Sequence, residues 1–289
     1  MKRFSVRCLA CISLLAVGGC TSAISSPTLA PTTTPLPAVS ATSPIVSPTA
    51  PPPTQTATPT QPPTLNPDQA REAISELLRE AADCDAPCFW GIVPGQTTFG
   101  EAKNTFAHLG LDLEETTPLE GRAFYEARYA LDTGLSSGTV IGVRNDLVET
   151  LTEYITPESR IPGVPREWLA YSPETLISRY GPPSRVDFAL GWGPTSFFDM
   201  TMYFDGFDLI VEYAGYDIIP RQKGTATVCP LSDQFEDVRI WMGEDPVYPP
   251  PPGGVPLETA TPMTMAEFSD LMTGDPAEAC FQIRADVFP

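Results

Sequence analysis

The sequence predicts an α+β protein, in which tandem helix-on-antiparallel-sheet units follow a disordered linker rich in proline and threonine. Two observations support this class. Apolar residues recur every three or four positions over residues 70–81, as in an amphipathic helix, whereas apolar and polar residues alternate over much of 122–156. The same order, a helix followed by strands, returns in residues 172–213. We expect residues 67–165 to form the first unit and residues 166–289 to form the second.

The N-terminal residues have the pattern of an export signal. Three basic residues accompany an apolar run from Leu9 to Val17, which is too short to span a bilayer. Val17-Gly-Gly-Cys20 resembles a bacterial lipobox, which implies cleavage after residue 19 and acylation of Cys20. We expect a lipoprotein signal peptide over residues 1–19 and an extracytoplasmic protein whose lipid on Cys20 anchors it to the cell membrane or cell surface. An ordinary secretory signal and a short uncleaved anchor are the alternatives.

Residues 20–66 have the composition of a tether. Thr21–Asn66 contains twelve prolines, twelve threonines and no charged residue. Such a segment buries too little apolar surface to offset the entropy lost on ordering, so we expect disorder with polyproline II character. The linker would act as a spacer between the lipid anchor and the folded part of the chain.

The chain beyond the signal is strongly acidic. Three of the seventeen basic residues lie in the signal, which leaves fourteen against thirty-six acidic residues and a formal net charge of −22. A field of this sign repels phosphate backbones and anionic lipid headgroups. We therefore exclude nucleic acid as a partner and interpret the acidity as a contribution to the solubility of an exported domain.

Four cysteines follow Cys20, namely Cys84, Cys88, Cys229 and Cys280. An even number of cysteines in an exported protein indicates disulfide bonds, and four cysteines allow three connectivities. We predict the pairs Cys84–Cys88 and Cys229–Cys280, of which the second would contribute on the order of 4 kcal/mol by restricting the unfolded chain. A four-thiolate zinc site is the alternative, although the C-x₃-C pair has no matching second pair.

Local signals mark the helices of the first unit. Asn66-Pro67 predicts the start of a helix that continues to Ala82, because asparagine is a favourable N-cap and proline fits the first turn. Thr98 and Glu101 have the spacing of a capping box, which opens a second helix that Gly110 would end. The segment between the two helices contains the first cysteine pair and predicts a disulfide-fixed corner.

Alternation of apolar and polar residues predicts strands in both units. In the first unit, strands are expected at 122–131, 139–144 and 147–156, with a tight turn at Asn145-Asp146. In the second unit, Ser172 would cap a helix, and strands are expected at 185–190, 196–205, 207–213 and 238–242. Asp205-Gly206 predicts a two-residue hairpin turn. A final capping box at Thr264 and Glu267 would open a short helix.

Two short motifs carry a resemblance to known families. Pro94-Gly95-Gln-Thr97, with a helix that ends at Leu109-Gly110, resembles the G-x-T and L-G-x-P signature of small outer-membrane assembly lipoproteins of the SmpA/OmlA type. The repeated helix-plus-sheet order is similar to the tandem β-lactamase inhibitor protein fold. Pro87–Thr98 more closely resembles a PCxWGIxPGxT motif of uncharacterised bacterial lipoproteins. The resemblance covers about residues 84–215 and implies a non-catalytic, protein-binding fold.

Catalytic motifs are weak in this sequence. Gly134-Leu-Ser-Ser-Gly138 matches G-x-S-x-G, but a nucleophile elbow requires a following helix and a later histidine, whereas the single histidine, His108, lies upstream. We interpret the segment as a hairpin loop and His108 as a solvent-facing helix residue. Paired carboxylates are uninformative because thirty-six acidic residues are present. We therefore expect no enzyme, no cofactor and no metal site.

Aromatic residues between positions 192 and 213 are the better candidate for a functional surface. Alternation places one set in the core and the other on the outer face of a sheet, where aromatic side chains suit contacts with protein or glycan. The candidates are Trp192, Phe197, Phe198, Tyr203 and Tyr213. Our leading hypothesis is a binding or scaffold lipoprotein that recognises an envelope protein or peptide. A cell-wall or polysaccharide-binding module is the alternative, and an envelope hydrolase is the least favoured.

Overall fold

The computed structural model describes residues 63–79, 84, 87–116, 118–119, 121–131, 135–157, 170–191, 197–216, 224–230, 235–246, 249–250, 253–275 and 279–288. All of them belong to one compact unit, Thr58–Pro289. The predicted signal peptide, Cys20 and most of the predicted linker lie outside the described residues.

The described residues form helices and a large antiparallel sheet, which confirms the α+β class. The helices are α1 (Pro67–Arg79), α2 (Phe99–His108), α3 (Pro173–Tyr180), α4 (Leu257–Ala260) and α5 (Met265–Met272). The strands are β1 (Glu114–Glu115), β2 (Ala123–Leu131), β3 (Leu135–Arg144), β4 (Leu147–Pro157), β5 (Arg185–Gly191), β6 (Phe197–Phe204), β7 (Leu209–Tyr216), β8 (Thr225–Val228), β9 (Phe235–Met242), β10 (Val255–Pro256) and β11 (Phe281–Arg284).

One nine-stranded sheet includes strands from both predicted units. Its order is β1-β2-β3-β4-β9-β7-β6-β5-β10, and β8 pairs with β11 in a separate two-stranded sheet. The late strand β9 lies between β4 and β7, because Ile240 pairs with Glu153 on one side and with Val211 on the other. The predicted boundary at residue 165 therefore does not interrupt the sheet, and β9 joins the two halves.

The helix starts follow the capping signals in the sequence. The Asn66 side chain accepts hydrogen bonds from the backbone N–H groups of Asp68 and Gln69 at 3.1 and 3.0 Å. The capping box at Thr98 is confirmed, since its hydroxyl accepts from the Glu101 N–H at 3.2 Å and the Glu101 carboxylate accepts from the Thr98 N–H at 2.9 Å. The same reciprocal pair opens α5 at Thr264.

The hairpin between β3 and β4 is also confirmed. Asn145 and Asp146 have φ angles of +53° and +63°, so both central residues adopt the left-handed conformation that a type I′ turn requires. Asparagine and aspartate tolerate this conformation better than most residues with a Cβ atom. The turn is therefore encoded by the two residues that form it.

The hairpin between β6 and β7 differs from its prediction. Phe204 pairs with Leu209, so four residues connect the strands rather than the two residues Asp205-Gly206. The left-handed residue is Asp208, with a φ of +47°, and residues 205–207 form a 3₁₀ turn. The Phe207 ring packs 4.9 Å from the Tyr180 ring, and this contact favours the longer turn.

The predicted loop at Gly134–Gly138 is wrong for Leu135–Gly138, which belong to β3, and Gly134 lies outside the described residues. Ser136 and Gly138 pair with Ala130 and Arg128 of β2. Glycine in a strand interior often marks a close approach of another group. Here a Cβ atom on Gly138 would lie 2.2 Å from the Tyr154 hydroxyl, so the ring of a neighbouring strand occupies that space.

The corner before α2 fastens that helix to the sheet. Gly95 donates its N–H to the Val148 carbonyl at 2.8 Å, and the Val148 N–H donates to the Thr97 carbonyl at 3.0 Å. Trp90 is buried and its ring lies 5.2 Å from that of Tyr129 on β2. Backbone pairing and aromatic packing thus connect the corner to two different strands.

Contacts with α2 begin before the predicted start of the domain at Pro67. The Leu65 N–H donates to the His108 carbonyl at 2.9 Å, and His108 Nδ1 lies 2.7 Å from the Pro63 carbonyl oxygen. The last residues of the predicted linker therefore pack along the end of α2, and His108 contacts the chain rather than solvent alone.

Both predicted disulfides are confirmed. The alternative of a four-thiolate zinc site is therefore wrong. Cys84 is bonded to Cys88, and Cys229 is bonded to Cys280. The second bond joins the segment after β8 to the segment before β11, and these two strands pair with each other. Two disulfides indicate an oxidising, extracytoplasmic environment.

Candidate functional site

The two faces of the nine-stranded sheet carry different side chains. On one face, Ile141, Leu151 and Ile240 belong to a hydrophobic cluster that includes Phe106 of α2. Cross-strand partners project to the same side of a sheet, so the strand registers identify the residues of the opposite face.

Two rows of paired residues cross the opposite face from β2 to β5. The first row is Arg128, Gly138, Tyr154, Arg239, Glu212, Thr201 and Asp187. The second row is Glu126, Val140, Thr152, Trp241, Ile210, Tyr203 and Arg185. We call these two rows, together with Asp199 and Asp237 beside them, the charged face.

Three arginine–carboxylate pairs recur on the charged face, each within one strand and two residues apart. The pairs are Arg128–Glu126 on β2, Arg239–Asp237 on β9 and Arg185–Asp187 on β5, with N–O distances of 2.7, 2.6 and 3.2 Å. The arginine side chains are 77%, 46% and 54% exposed, whereas the carboxylate side chains are 19%, 17% and 15% exposed. The guanidinium groups therefore form the accessible layer, and the carboxylates lie beneath them.

The middle of the charged face contains three carboxylates around one guanidinium. Arg239 lies 3.5 Å from Glu212 and 2.6 Å from Asp237. Burial raises the pKa of Glu212 to about 7, and the charge of Asp199 adds to this effect. Burial also raises the pKa of Asp199 to about 6, against the opposing attraction of Arg239. Two carboxyls of this cluster therefore take up protons between pH 6 and 7, and the patch becomes less negative in mild acid.

Tyr154 connects three strands at one side of the charged face. Its ring lies across Gly138 of β3, and its hydroxyl donates a hydrogen bond to the Glu126 carboxylate of β2. Burial and the interaction with Glu126 raise the pKa of Tyr154 to about 12. Hydrogen bonding from Arg128 outweighs burial at Glu126 and lowers the pKa of that carboxyl. Glu126 is thus an ionised acceptor for both neighbours.

Tyr203 occupies the other side of the charged face. The Arg185 guanidinium lies 3.7 Å from the centre of the Tyr203 ring, a cation–π contact. Asp187 pairs with the same arginine, and burial raises the pKa of its carboxyl. The ring is therefore covered by a guanidinium, and the chemistry presented there is cationic rather than aromatic.

A buried carboxyl lies on the opposite, helix-packed face. Glu153 of β4 is completely buried, 2.7 Å from the Tyr129 hydroxyl and in contact with the Thr139 hydroxyl. Burial raises the pKa of Glu153 well above its usual range. Burial thus favours the protonated form of this carboxyl, which accepts hydrogen bonds from two hydroxyls within the core.

The aromatic residues predicted as a surface do not lie together on one face. Phe198 and Tyr213 are buried in the core, and the Tyr213 hydroxyl donates to the Tyr171 carbonyl at 2.7 Å. The prediction that both residues belong to a binding surface is therefore wrong, because their side chains point to the core face of the sheet. Tyr203 lies on the charged face, Phe197 is 38% exposed at the start of β6, and Trp192 lies outside the described residues.

The four predicted disulfide cysteines are paired as described, and the lipidation residue Cys20 lies outside the described residues. Within the described ranges, no three His, Cys, Asp or Glu side chains are arranged to hold a metal ion. In the same part of the chain, no helix combines the length and apolarity needed to cross a membrane.

Comparison with known proteins found no matching family model, and no curated protein or solved structure with significant similarity.

The arginine–carboxylate pairs of the charged face were missed by sequence reasoning. Their signal is present in the tripeptides Glu126-Ala-Arg128, Arg185-Val-Asp187 and Asp237-Val-Arg239, where opposite charges stand two positions apart within a predicted strand or at its start. Residues two apart on a strand share one face, so each tripeptide predicts an outward ion pair. The alignment of the three pairs on one face depends on β9, whose position no local pattern specifies.

Proposed function

We propose that this protein is a lipid-anchored envelope protein whose folded part is a non-catalytic binding module for a protein or peptide. The lipobox and the uncharged linker support a tethered display at the membrane or cell surface. The two disulfides support an oxidising compartment. The charged face provides the recognition surface.

The arrangement of the charged face carries the proposal. Three exposed guanidinium groups on β2, β9 and β5 are held by carboxylates on their own strands. Neighbouring strands lie about 4.8 Å apart, so each step of three strands separates adjacent arginines by about 14 Å. Arginine and tyrosine are enriched in protein interfaces, where fixed charges set register and specificity. A surface with three regularly spaced arginine–carboxylate pairs fits an extended partner that carries charges of both signs.

We propose binding rather than catalysis because four of the five carboxylates of this face have an arginine partner. Glu126, Asp187, Glu212 and Asp237 each lie within 3.5 Å of a guanidinium nitrogen. A general acid or base must be free to exchange its proton with a substrate. The geometry instead suits complementarity to a charged surface.

The test uses the purified full chain as bait in an envelope extract, with crosslinking. Arg239→Gln removes the central cation of the charged face. Arg71→Gln is the matched control, since both arginine side chains are 46% exposed and each pairs with an aspartate. We expect the unchanged protein and Arg71→Gln to capture the same partner and Arg239→Gln to lose it. No capture after crosslinking, or equal loss in both variants, would contradict the proposal.

A polysaccharide-binding module is the second candidate, supported by the 38% exposure of Phe197. Sugar rings stack on exposed aromatic faces, but the Tyr203 ring is covered by Arg185. A glycan array compares the unchanged protein with Trp192→Ala and Phe197→Ala. Binding that both substitutions abolish would favour this candidate over protein recognition.

A further inference from the structure

The outer edge of β2 is only partly paired. Strand β1 pairs with it at Glu114–Glu126 and Glu115–Tyr125, and the Thr116 N–H donates to the Phe124 carbonyl at 2.7 Å. Backbone groups of alternate residues point to the same edge, so the N–H and C=O of Arg128 and Ala130 also point outward. No described strand pairs with β2 beyond Glu126 on that side.

A cavity of about 460 Å³ lies beside this unpaired edge. It is lined by Gly110, Leu111, Asp112, Glu114, Glu126 and Arg128. Asp112 and Glu114 are exposed, and neither makes an ion pair with another described residue. Arg128 is already paired with Glu126. As far as the described residues go, the cavity therefore presents two carboxylates without an ion-pair partner next to the outward backbone groups of Arg128 and Ala130.

The neighbouring surface has room for an added strand. A second cavity, of about 410 Å³, is lined by Arg128, Ala130, Ser136 and Tyr154, among others. This cavity lies where β2 ends and β3 begins. Five residues of β2, Ala127–Leu131, span about 16 Å, enough for a short extended segment to pair with the edge.

Charge decides which segment fits this edge. A second copy of the chain would bring the same carboxylates against Asp112 and Glu114, and like charges across a strand pair are destabilising. The chain's own Thr21–Asn66 segment carries no charged residue, and its twelve prolines cannot donate backbone hydrogen bonds. A basic partner satisfies both the backbone groups and the carboxylates.

We propose that the β2 edge binds an extended, basic peptide segment of another protein by strand addition. The peptide pairs its backbone with Arg128 and Ala130, and a lysine or arginine side chain enters the cavity beside Asp112 and Glu114. The inference rests on the proposed binding role and adds a contact at the β2 edge, beside the charged face, and the charge of the segment that binds there.

The experiment measures fluorescence anisotropy of a labelled heptapeptide of alternating lysine and valine, titrated with the full chain. The comparison peptides replace lysine by glutamate, or valine by proline. Ala130→Pro removes one outward N–H and no bond to β3, and Ala130→Val is its control. We expect Ala130→Pro to weaken binding about tenfold, the loss for one backbone hydrogen bond, and Ala130→Val to leave it unchanged. Both comparison peptides should bind poorly.

A second variant supports the test if Ala130→Pro impairs folding. Asp112→Asn with Glu114→Gln alters only exposed side chains, and it should weaken binding and reduce its dependence on salt. Hydrogen exchange should slow at the Arg128 and Ala130 amides when the lysine peptide binds. Equal affinity for the glutamate peptide, no binding of the lysine peptide, or unchanged exchange at these amides would overturn the inference.

The failure of the edge site is distinguishable from the failure of the binding role. Arg185→Gln lies on the charged face, far from β2 in the strand order. If this variant loses the peptide while Ala130→Pro retains it, the peptide lies on the face, and the edge inference fails while the binding role stands. If the unchanged full chain captures no partner, the binding role itself is contradicted.

Discussion

Glu212 predicts how the stability of the fold depends on pH. Burial raises its pKa to about 7, compared with 4.5 for a glutamate exposed to solvent. The folded state therefore holds a proton that the unfolded state releases near pH 4.5. The stabilisation is fully present below pH 4.5 and is lost as the pH rises through 7. Glu212→Gln carries no titrating proton, so its free energy of unfolding lacks this decline.

The magnitude follows from the two pKa values. Each pH unit between them lowers the free energy of unfolding by up to about 1.4 kcal/mol, which gives an upper limit of about 3 kcal/mol. Solvent partly screens the ionised carboxylate, so we expect about half of that limit, 1–2 kcal/mol. From pH 5 to pH 8, the free energy of unfolding of Glu212→Gln should therefore rise by this amount relative to that of the unchanged protein.

Urea unfolding followed by tryptophan fluorescence measures this difference, since Trp90 and Trp241 are both buried. Glu72→Gln, on the exposed side of α1, is the control and should give a curve parallel to that of the unchanged protein. A difference for Glu212→Gln that does not change with pH, or that shrinks as the pH rises, would refute the assigned burial of this carboxyl.

Three further predictions concern the core, the charged face and the anchor. Glu153→Leu should lower the free energy of unfolding by about 2 kcal/mol in urea titrations, because the Tyr129 hydroxyl loses its buried partner, whereas Glu153→Gln should cost less. Gly138→Ala should displace the Tyr154 ring and cost about 1 kcal/mol by the same assay; an unchanged stability would contradict the tight contact. Labelling with a radioactive fatty acid should disappear in Cys20→Ser, and persistent label would contradict the lipobox.

Signals that act over a few residues predicted much of the fold. The caps at Asn66 and Thr98 and the turn at Asn145-Asp146 formed where the sequence placed them, since each depends on neighbouring backbone groups. The prediction of a two-residue turn at Asp205-Gly206 was wrong, because the contact of Phe207 with the distant Tyr180 competes with the local preference. Local chemistry predicts an element well only where no tertiary contact opposes it.

The pairing of strands that are distant in the sequence could not be predicted from local sequence patterns. Strand β9 was expected near residues 238–242, but nothing in its sequence specifies that it separates β4 from β7. The burial of Glu153 follows from the same arrangement, because its partner across the sheet is Ile240 of β9. A carboxyl in an alternating strand is predicted to face solvent, and only the identity of the neighbouring strands shows whether it is buried.

The aromatic segment shows why the candidate surface changed. Phe198, Met200 and Tyr213 alternate with Asp199 and other polar residues, and period-two alternation puts the two sets on opposite faces. The large apolar side chains bury the most area and therefore belong to the core, where the helices cover them. The residues between them are left on the outer face, and there they neighbour the arginine pairs of β5 and β9. The residues that make the segment conspicuous in the sequence stabilise the fold, and their polar neighbours form the surface that a partner would contact.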